Sequence, residues 1–275
     1  MKRVFSNNIA LICLLVIAYS CNVNRSHTRN YYFDPVAGDD SINSGTSPGS
    51  PYKSLSMIGK ITLKPGDSLL LKSGAVFLEQ LYISCKSDSG MPIVVGKYGG
   101  KAKPCIRAAG RYNDAVHVFN SEHVVIRDLE VSNKGKEPID GINGVLVELK
   151  NYGTARNITL DNLFIHDVYG ILVREHLGGG NAIMMRNYDD KDTLARSSRF
   201  DGLLVQNCHI MDCQRNGIMM WGNWIRKKWN PSLHVVIRNN ILEGVPGDGI
   251  VPVACENPLV EYNIMKNCPR TLPDS

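Results

Sequence analysis

One pattern limits this chain more than any other: five segments built on one template. Residues 124–131, 158–165, 203–210, 235–242 and 259–265 each give an apolar strand, a polar residue, an Asn or Asp in four of the five, and an apolar residue three positions later. The template positions Asp128, Asn162, Asn207, Asn239 and Tyr262 are 34, 45, 32 and 23 residues apart. A coil of stacked strands needs such a recurrence, with inserted loops lengthening some turns. Asn and Asp suit the recurring place because they tolerate left-handed backbone at a sharp bend and hydrogen-bond to nearby backbone. Several rungs then enter a second short strand opened by Gly170-Ile171, Gly217-Ile218 or Gly249-Ile250. Two sheets per rung with a bend between them define a parallel β-helix, an all-β solenoid. A parallel α/β fold would need amphipathic helices between its strands, and the glycine-rich stretches 178–181 and 244–248 offer none.

Ahead of the rungs, 31–33 reads as a strand and 34–46 as a turn-rich loop. Ser50-Pro51 supplies an N-cap and a first-turn proline before Leu55, Met57 and Ile58. The expectation is a short amphipathic helix that covers the apolar end of the first rung. Residues 68–72 and 93–95 read as further strands. After the last rung, 258–268, come seven residues that cannot cap a coil, so the natural chain is expected to continue with more rungs.

The first twenty residues follow export grammar: Lys2-Arg3, an apolar run over 9–17, then small and polar residues into Cys21. That run is too short to span a bilayer stably. Ala18-Tyr19-Ser20-Cys21 resembles a bacterial lipobox, with Ala where Leu is usual. The expected organisation is a signal over 1–21, a tether over 22–30 and a β-helix over 31–275, lipid-anchored through Cys21 in the cell envelope, with plain secretion as the alternative. Charge sets a further limit: 31 Lys and Arg against 26 Asp and Glu give +5, and loss of Lys2 and Arg3 leaves 29 against 26, or +3. With no basic stripe, nucleic acid is excluded as a partner. Cys85, Cys105, Cys208, Cys213, Cys255 and Cys268 show no C-x-x-C metal spacing, and most read as small hydrophobes in a stacked core. An oxidising compartment would allow disulfides among them, with the pairing open.

The block Tyr32-Phe-Asp-Pro-Val-Ala-Gly-Asp-Asp-Ser41, with Gly45-Thr-Ser-Pro48, Pro51-Tyr-Lys-Ser-Leu55, Leu63-Lys-Pro-Gly-Asp67, Pro92-Ile-Val-Val95 and Tyr98-Gly-Gly100, resembles the opening segment of envelope proteins in the pectate-lyase-like superfamily. The resemblance spans about 31–268 and implies a right-handed coil. That group holds polysaccharide lyases, glycoside hydrolases, epimerases and non-catalytic members, so fold alone does not choose among them. The first reading is a monomeric envelope enzyme that cleaves a polysaccharide, by hydrolysis or β-elimination, along a groove on the coil. The alternatives are a non-catalytic glycan-binding or adhesion β-helix and a purely structural solenoid. The paired aspartates, Gly-His-Gly and Arg-Ile-Lys of polygalacturonases are absent.

Hydrolysis requires two facing carboxyl groups, and elimination a base with a cation to stabilise the enolate-like intermediate. Stacking brings equivalent positions of successive rungs together. Asp248, before Gly249-Ile250, is the first acid candidate, and its bland alternative is a bend residue bonded to backbone. Arg174-Glu175-His176 ahead of a glycine run offers a cation for substrate, an acid and a base, or else a solvated charge cluster. Asp189, Asp190 and Asp192 are oxygen donors of the kind hard cations prefer, but lack the glycine and closing Glu of a calcium loop. No metal site is assigned, and Ca²⁺ is implied only if the chain is a lyase. His166 and Asp167 follow a strand at a bend, where His166 reads as a stacking residue. Trp221, Trp224 and Trp229, with Arg226, fall within nine residues of a polar, basic loop. Tryptophan planes stack on the C–H faces of sugars, and Arg reaches hydroxyls or carboxylates, so these four are read as substrate contacts, against a loop that merely packs over the coil.

Overall fold

The computed structural model describes residues 28–87, 90–172, 179–189, 198–223 and 229–268, so Cys21 and the export segment lie outside the described residues. Three parallel sheets of eight, six and seven strands make up the fold. They are named A, B and C in the order one rung meets them. Sheet A opens with Asn30–Phe33 and Ser68–Lys72, sheet B includes Glu130–Asn133 and Phe164–Val168, and sheet C is Leu81–Ile83, Asp114–Phe119, Asn143–Lys150, Asn181–Tyr188, Ile218–Trp221 and Ile250–Val251. Among the described residues neighbouring rungs pair in parallel, as in Val116↔Val145, Val145↔Ile183 and Ile183↔Ile218.

A third sheet replaces the expected two, and the reason is local. Asp128, Asn162, Asn207, Asn239 and Tyr262 all have φ between 51° and 61°. One left-handed residue turns the chain from sheet A to sheet B without a loop, so two strands at a corner read in sequence as one template. Within the column Asn162 Nδ2 donates to Asp128 Oδ1 at 2.7 Å, while Asn207 Nδ2 donates to Asp161 Oδ1, one residue before the corner, at 2.7 Å.

A second column stands at the B-to-C bend. Asp114, Asn143 and Asn181 are partners in register, and Asn216 and Asp248 precede Ile218 and Ile250 by the same two residues. Asn143 Nδ2 donates to Asp114 Oδ1, Asn181 Nδ2 to Asn143 Oδ1 and Asn216 Nδ2 to Asn181 Oδ1, each at 2.8 Å, and all four side chains are buried. Glycine or alanine follows each member because the next rung comes too close for more. A Cβ on Gly217 would lie 2.5 Å from the carbonyl oxygen of Gly249. This register corrects the alignment of Gly170 with Gly217 and Gly249. Among the described residues Gly170 bridges Ile139, and Ala182 takes the place in that rung.

Inside the coil, Val118, Val147, Met185 and Met220 stack at no more than 1% exposure. Each such side chain stabilises the coil by about 1.5–3 kcal/mol relative to exposure. Cys85, Cys105, Cys208 and Cys213 are buried, and all six described cysteines are free thiols. In the last rung Leu259, Val260, Ile264 and Met265 are exposed. At the other end the expected helix is a 3₁₀ helix, Leu55–Lys60, that buries Leu55, Met57 and Ile58 against the first strand of sheet C. Pro51 stays outside it because Tyr52 bridges Phe33, and Ser54 at the N-cap gives its hydroxyl to Asp40 instead of the helix. The first strand starts at Asn30, within the expected tether, since the amide of Arg29 donates to Asp67 Oδ1 and its carbonyl accepts from Ser68.

Candidate functional site

Alternation along the strands of sheet C sends Val145, Val147 and Leu149 into the coil and Leu146, Glu148 and Lys150 outward. The register then lines up Phe119, Glu148, Arg186 and Trp221 on four successive rungs. Glu148 is only 5% exposed although it points away from the core. Nε of Arg186 donates to its Oε1 at 2.7 Å, and Nε2 of His117 lies 3.1 Å from its Oε2. Burial alone would raise the pKa of this carboxyl. The His117 contact and the Arg186 charge outweigh burial and hold it down at about 2. On the far side of His117, burial pushes Asp114 up against its bond from Asn143. His117 Nδ1 lies 3.6 Å from Asp114 Oδ2, and its ring meets Tyr82 and Phe119 edge-on at 5.4 and 5.8 Å.

Trp221 closes this row with 44% of its surface exposed. One step along, Tyr188 lies beneath two cations, with Lys150 Nζ 5.6 Å and Arg186 Cζ 5.9 Å from its ring centroid. The row therefore offers an aromatic platform, a braced guanidinium and an ionised carboxylate enclosed by its own partners. Glu148 thus acts as a brace for Arg186, since both its oxygens are engaged. A cavity of about 340 Å³ bounded by Phe119, Asn120, Asn151, Tyr152 and Lys86 lies where sheet C turns to sheet A.

At the opposite margin, where sheet B turns to sheet C, the connections of successive rungs stack. Arg215 gives its guanidinium to the carbonyl of Leu172, and its own carbonyl accepts from the amide of Gly247 at 2.8 Å. Asp248 is exposed here, its amide donating to Asn216 Oδ1 at 3.0 Å and its carbonyl accepting from Gly217 at 3.0 Å. Asp248 thus takes the fifth place of the buried column while presenting its side chain to solvent. A cavity of about 390 Å³ on this margin is lined by Asp167, Asp212, Lys134, Tyr169 and Pro246. Asp167 is held below the usual carboxylate range by hydrogen bonds from His166 and Lys134, and His166 stacks on Phe164 at 4.6 Å within its strand.

The sequence-predicted residues thus fall at two margins of sheet C. Asp248 stands at the start of the strands and Trp221 at their end, five residues on, or about 16 Å at the rise of a strand. Trp229, also 44% exposed, precedes Leu233–Arg238 of sheet A and so lies on the Trp221 side. Arg174, Glu175, His176, Trp224 and Arg226 lie outside the described residues, as do Asp190 and Asp192. Asp189 accepts hydrogen bonds from the amide and hydroxyl of Ser198. Among the described residues no group of three or more His, Cys, Asp or Glu is placed to hold a metal ion. Glu148, Arg186, His117 and Tyr188 escaped sequence reasoning, because only the register reveals that they meet.

The sequence matches the family model of the right-handed β-helix region over residues 106–271. It is 28% identical over 316 aligned positions to the lacto-N-biosidase of Bifidobacterium longum subsp. longum, covering 87% of this chain and 20% of that protein. Crystal structures of the GH136 lacto-N-biosidase from Eubacterium ramulus superpose with TM-scores of 0.76 for the selenomethionine derivative and 0.75 for the native protein. Both are at 27% identity, over 86% and 85% of this chain. The chain spans a fifth of the curated relative's length and 44% of each solved one.

Proposed function

This chain belongs to the right-handed β-helix family, and on that premise we propose that it is part of an exported glycoside hydrolase whose oligosaccharide lies across the outer face of sheet C. The observation that carries hydrolysis over β-elimination is the likeness to lacto-N-biosidase along most of the chain, with a TM-score of 0.76. The face itself supports a glycan ligand: Trp221 offers its plane to a sugar ring, and Arg186, braced by Glu148, reaches the hydroxyls beside it. The distance between Asp248 and Trp221 suits an oligosaccharide that spans both margins.

In this reading Asp248 is the acid, Glu175 and His176 supply the second carboxyl and the base, and Arg174, Trp224, Arg226 and Trp229 join Trp221 in holding sugar. Protonation of the leaving oxygen and attack by water would then be divided between two carboxyl groups. The protein acts as a monomer, held at the envelope through Cys21. Labelled fatty acid incorporated by the native protein and not by Cys21→Ser supports the anchor, and equal labelling of the two excludes it.

The test of the reaction is product analysis on full-length protein with Asp248→Ala alongside, across neutral and acidic glycans. New reducing ends without unsaturated uronate, lost in the variant, are expected. Unsaturated product would establish a lyase instead, and binding without turnover would establish a glycan-binding module.

A further inference from the structure

The outward positions on the strands of sheet C carry one carboxylate, Glu148, and it is enclosed. The side chains beside it that carry charge on these outward positions are Arg186 and Lys150. Arg186 keeps 40% of its side chain exposed while its Nε is fixed on Glu148. Among the described residues neither of its terminal nitrogens, Nη1 or Nη2, has a hydrogen-bond partner. A guanidinium anchored at Nε and open at its two terminal nitrogens is a fork pre-set for two oxygens on one group. Lys150 adds a second cation, on the neighbouring rung and over the same Tyr188 ring.

We propose that Arg186, with Lys150 and the planes of Tyr188 and Trp221, forms a subsite for a sugar that bears an anionic substituent, a carboxylate or a sulfate. The aromatic planes take the ring, the Arg186 fork takes the two oxygens, and Lys150 supplies long-range attraction. A carboxylate or sulfate carries its two oxygens on one atom, at the spacing of the two terminal nitrogens, and accepts a charge-assisted bond from each, which a hydroxyl pair on neighbouring ring carbons matches less closely. The proposal rests on the glycan-binding face described above and names one substituent of its ligand.

Binding, not turnover, is the readout, so that the subsite and the reaction can fail separately. Calorimetry and tryptophan fluorescence on full-length protein would compare two matched pairs: oligogalacturonates with their methyl esters, and sulfated with desulfated chondroitin oligosaccharides. The first pair isolates the carboxylate and the second the sulfate. The acidic member of at least one pair should bind roughly tenfold tighter at low salt, with the gap narrowing as salt rises. Arg186→Lys keeps the charge against Glu148 and loses the fork, so the preference should collapse with the fold intact by circular dichroism. Should that variant unfold, Lys150→Met should still weaken the acidic member several-fold and leave the neutral one unchanged. Equal binding of both members of each pair, or a preference that survives Arg186→Lys, overturns the subsite. Hydrolysis of an oligosaccharide with no such preference also overturns it while leaving the reaction standing, whereas an acidic preference without hydrolysis upholds it and removes the reaction.

Discussion

Two strands of sheet C, Asn143–Lys150 and Asn181–Tyr188, carry two different kinds of row. Their first residues belong to the buried column Asp114, Asn143, Asn181 and Asn216, in which each amide donates to its neighbour and the residue type scarcely changes. Their outward residues Glu148 and Arg186 belong to a row that changes chemistry at every rung, from Phe119 to Trp221. Repetition serves a solenoid's stability, because each rung must satisfy the one above it. A row that abandons repetition does something else, and here it assembles a braced cation beside an aromatic plane.

The comparison breaks first at the column. Asn181→Leu leaves the acceptor of Asn143 and the donor of Asn216 buried without partners, which should cost roughly 4 kcal/mol. Urea unfolding measures this, and a loss below about 1 kcal/mol would mean that the column is ornamental.

Glu148→Gln comes next. The native carboxyl titrates near 2, against 4.5 for an unperturbed one, so its contribution is at most about 3 kcal/mol. Because the folded value is depressed, that stability is complete above the unfolded value and lost as pH falls from about 4.5 toward 2. Acid titration of native protein should show this loss and the variant should lack it. Matching acid profiles would place the charge elsewhere.

A smaller change should stabilise. Tyr262 holds the left-handed corner where its sister rungs use Asn or Asp, so Tyr262→Asn should raise stability by about 1 kcal/mol in the same unfolding experiment. Smallest in stability is Trp221→Ala, expected within about 0.5 kcal/mol of the parent while glycan binding weakens roughly tenfold. Fluorescence-detected binding beside a thermal melt separates the two effects.

How much of this was legible in the sequence follows the same division. The corner residues Asp128 to Tyr262 recur at a readable place because left-handed backbone restricts residue type wherever it occurs. That was enough for a β-helix, but it hid the third sheet, since a one-residue corner leaves no gap between strands. The Asn column was half legible. Gly217-Ile218 and Asp248-Gly249 are legible, whereas Asn143-Gly144 and Asn181-Ala182 carry no such signal, and Gly170-Ile171 mimics the place that Ala182 takes. The outward row was not legible. Glu148 and Arg186 are 38 residues apart, and no local rule predicts which residue of one rung meets which of the next. Trp221 is legible because it falls with Trp224 and Trp229 within nine residues of a polar, basic loop.

The most direct test of the account is a crystal structure of the full-length protein, with Asp248→Ala to slow turnover, soaked with an oligosaccharide that it binds. The account predicts a sugar ring stacked on Trp221 with its oxygens at the terminal nitrogens of Arg186, and the chain of sugars running toward residue 248. Sugar bound on the outer faces of sheets A or B, with the sheet C face empty, would contradict it.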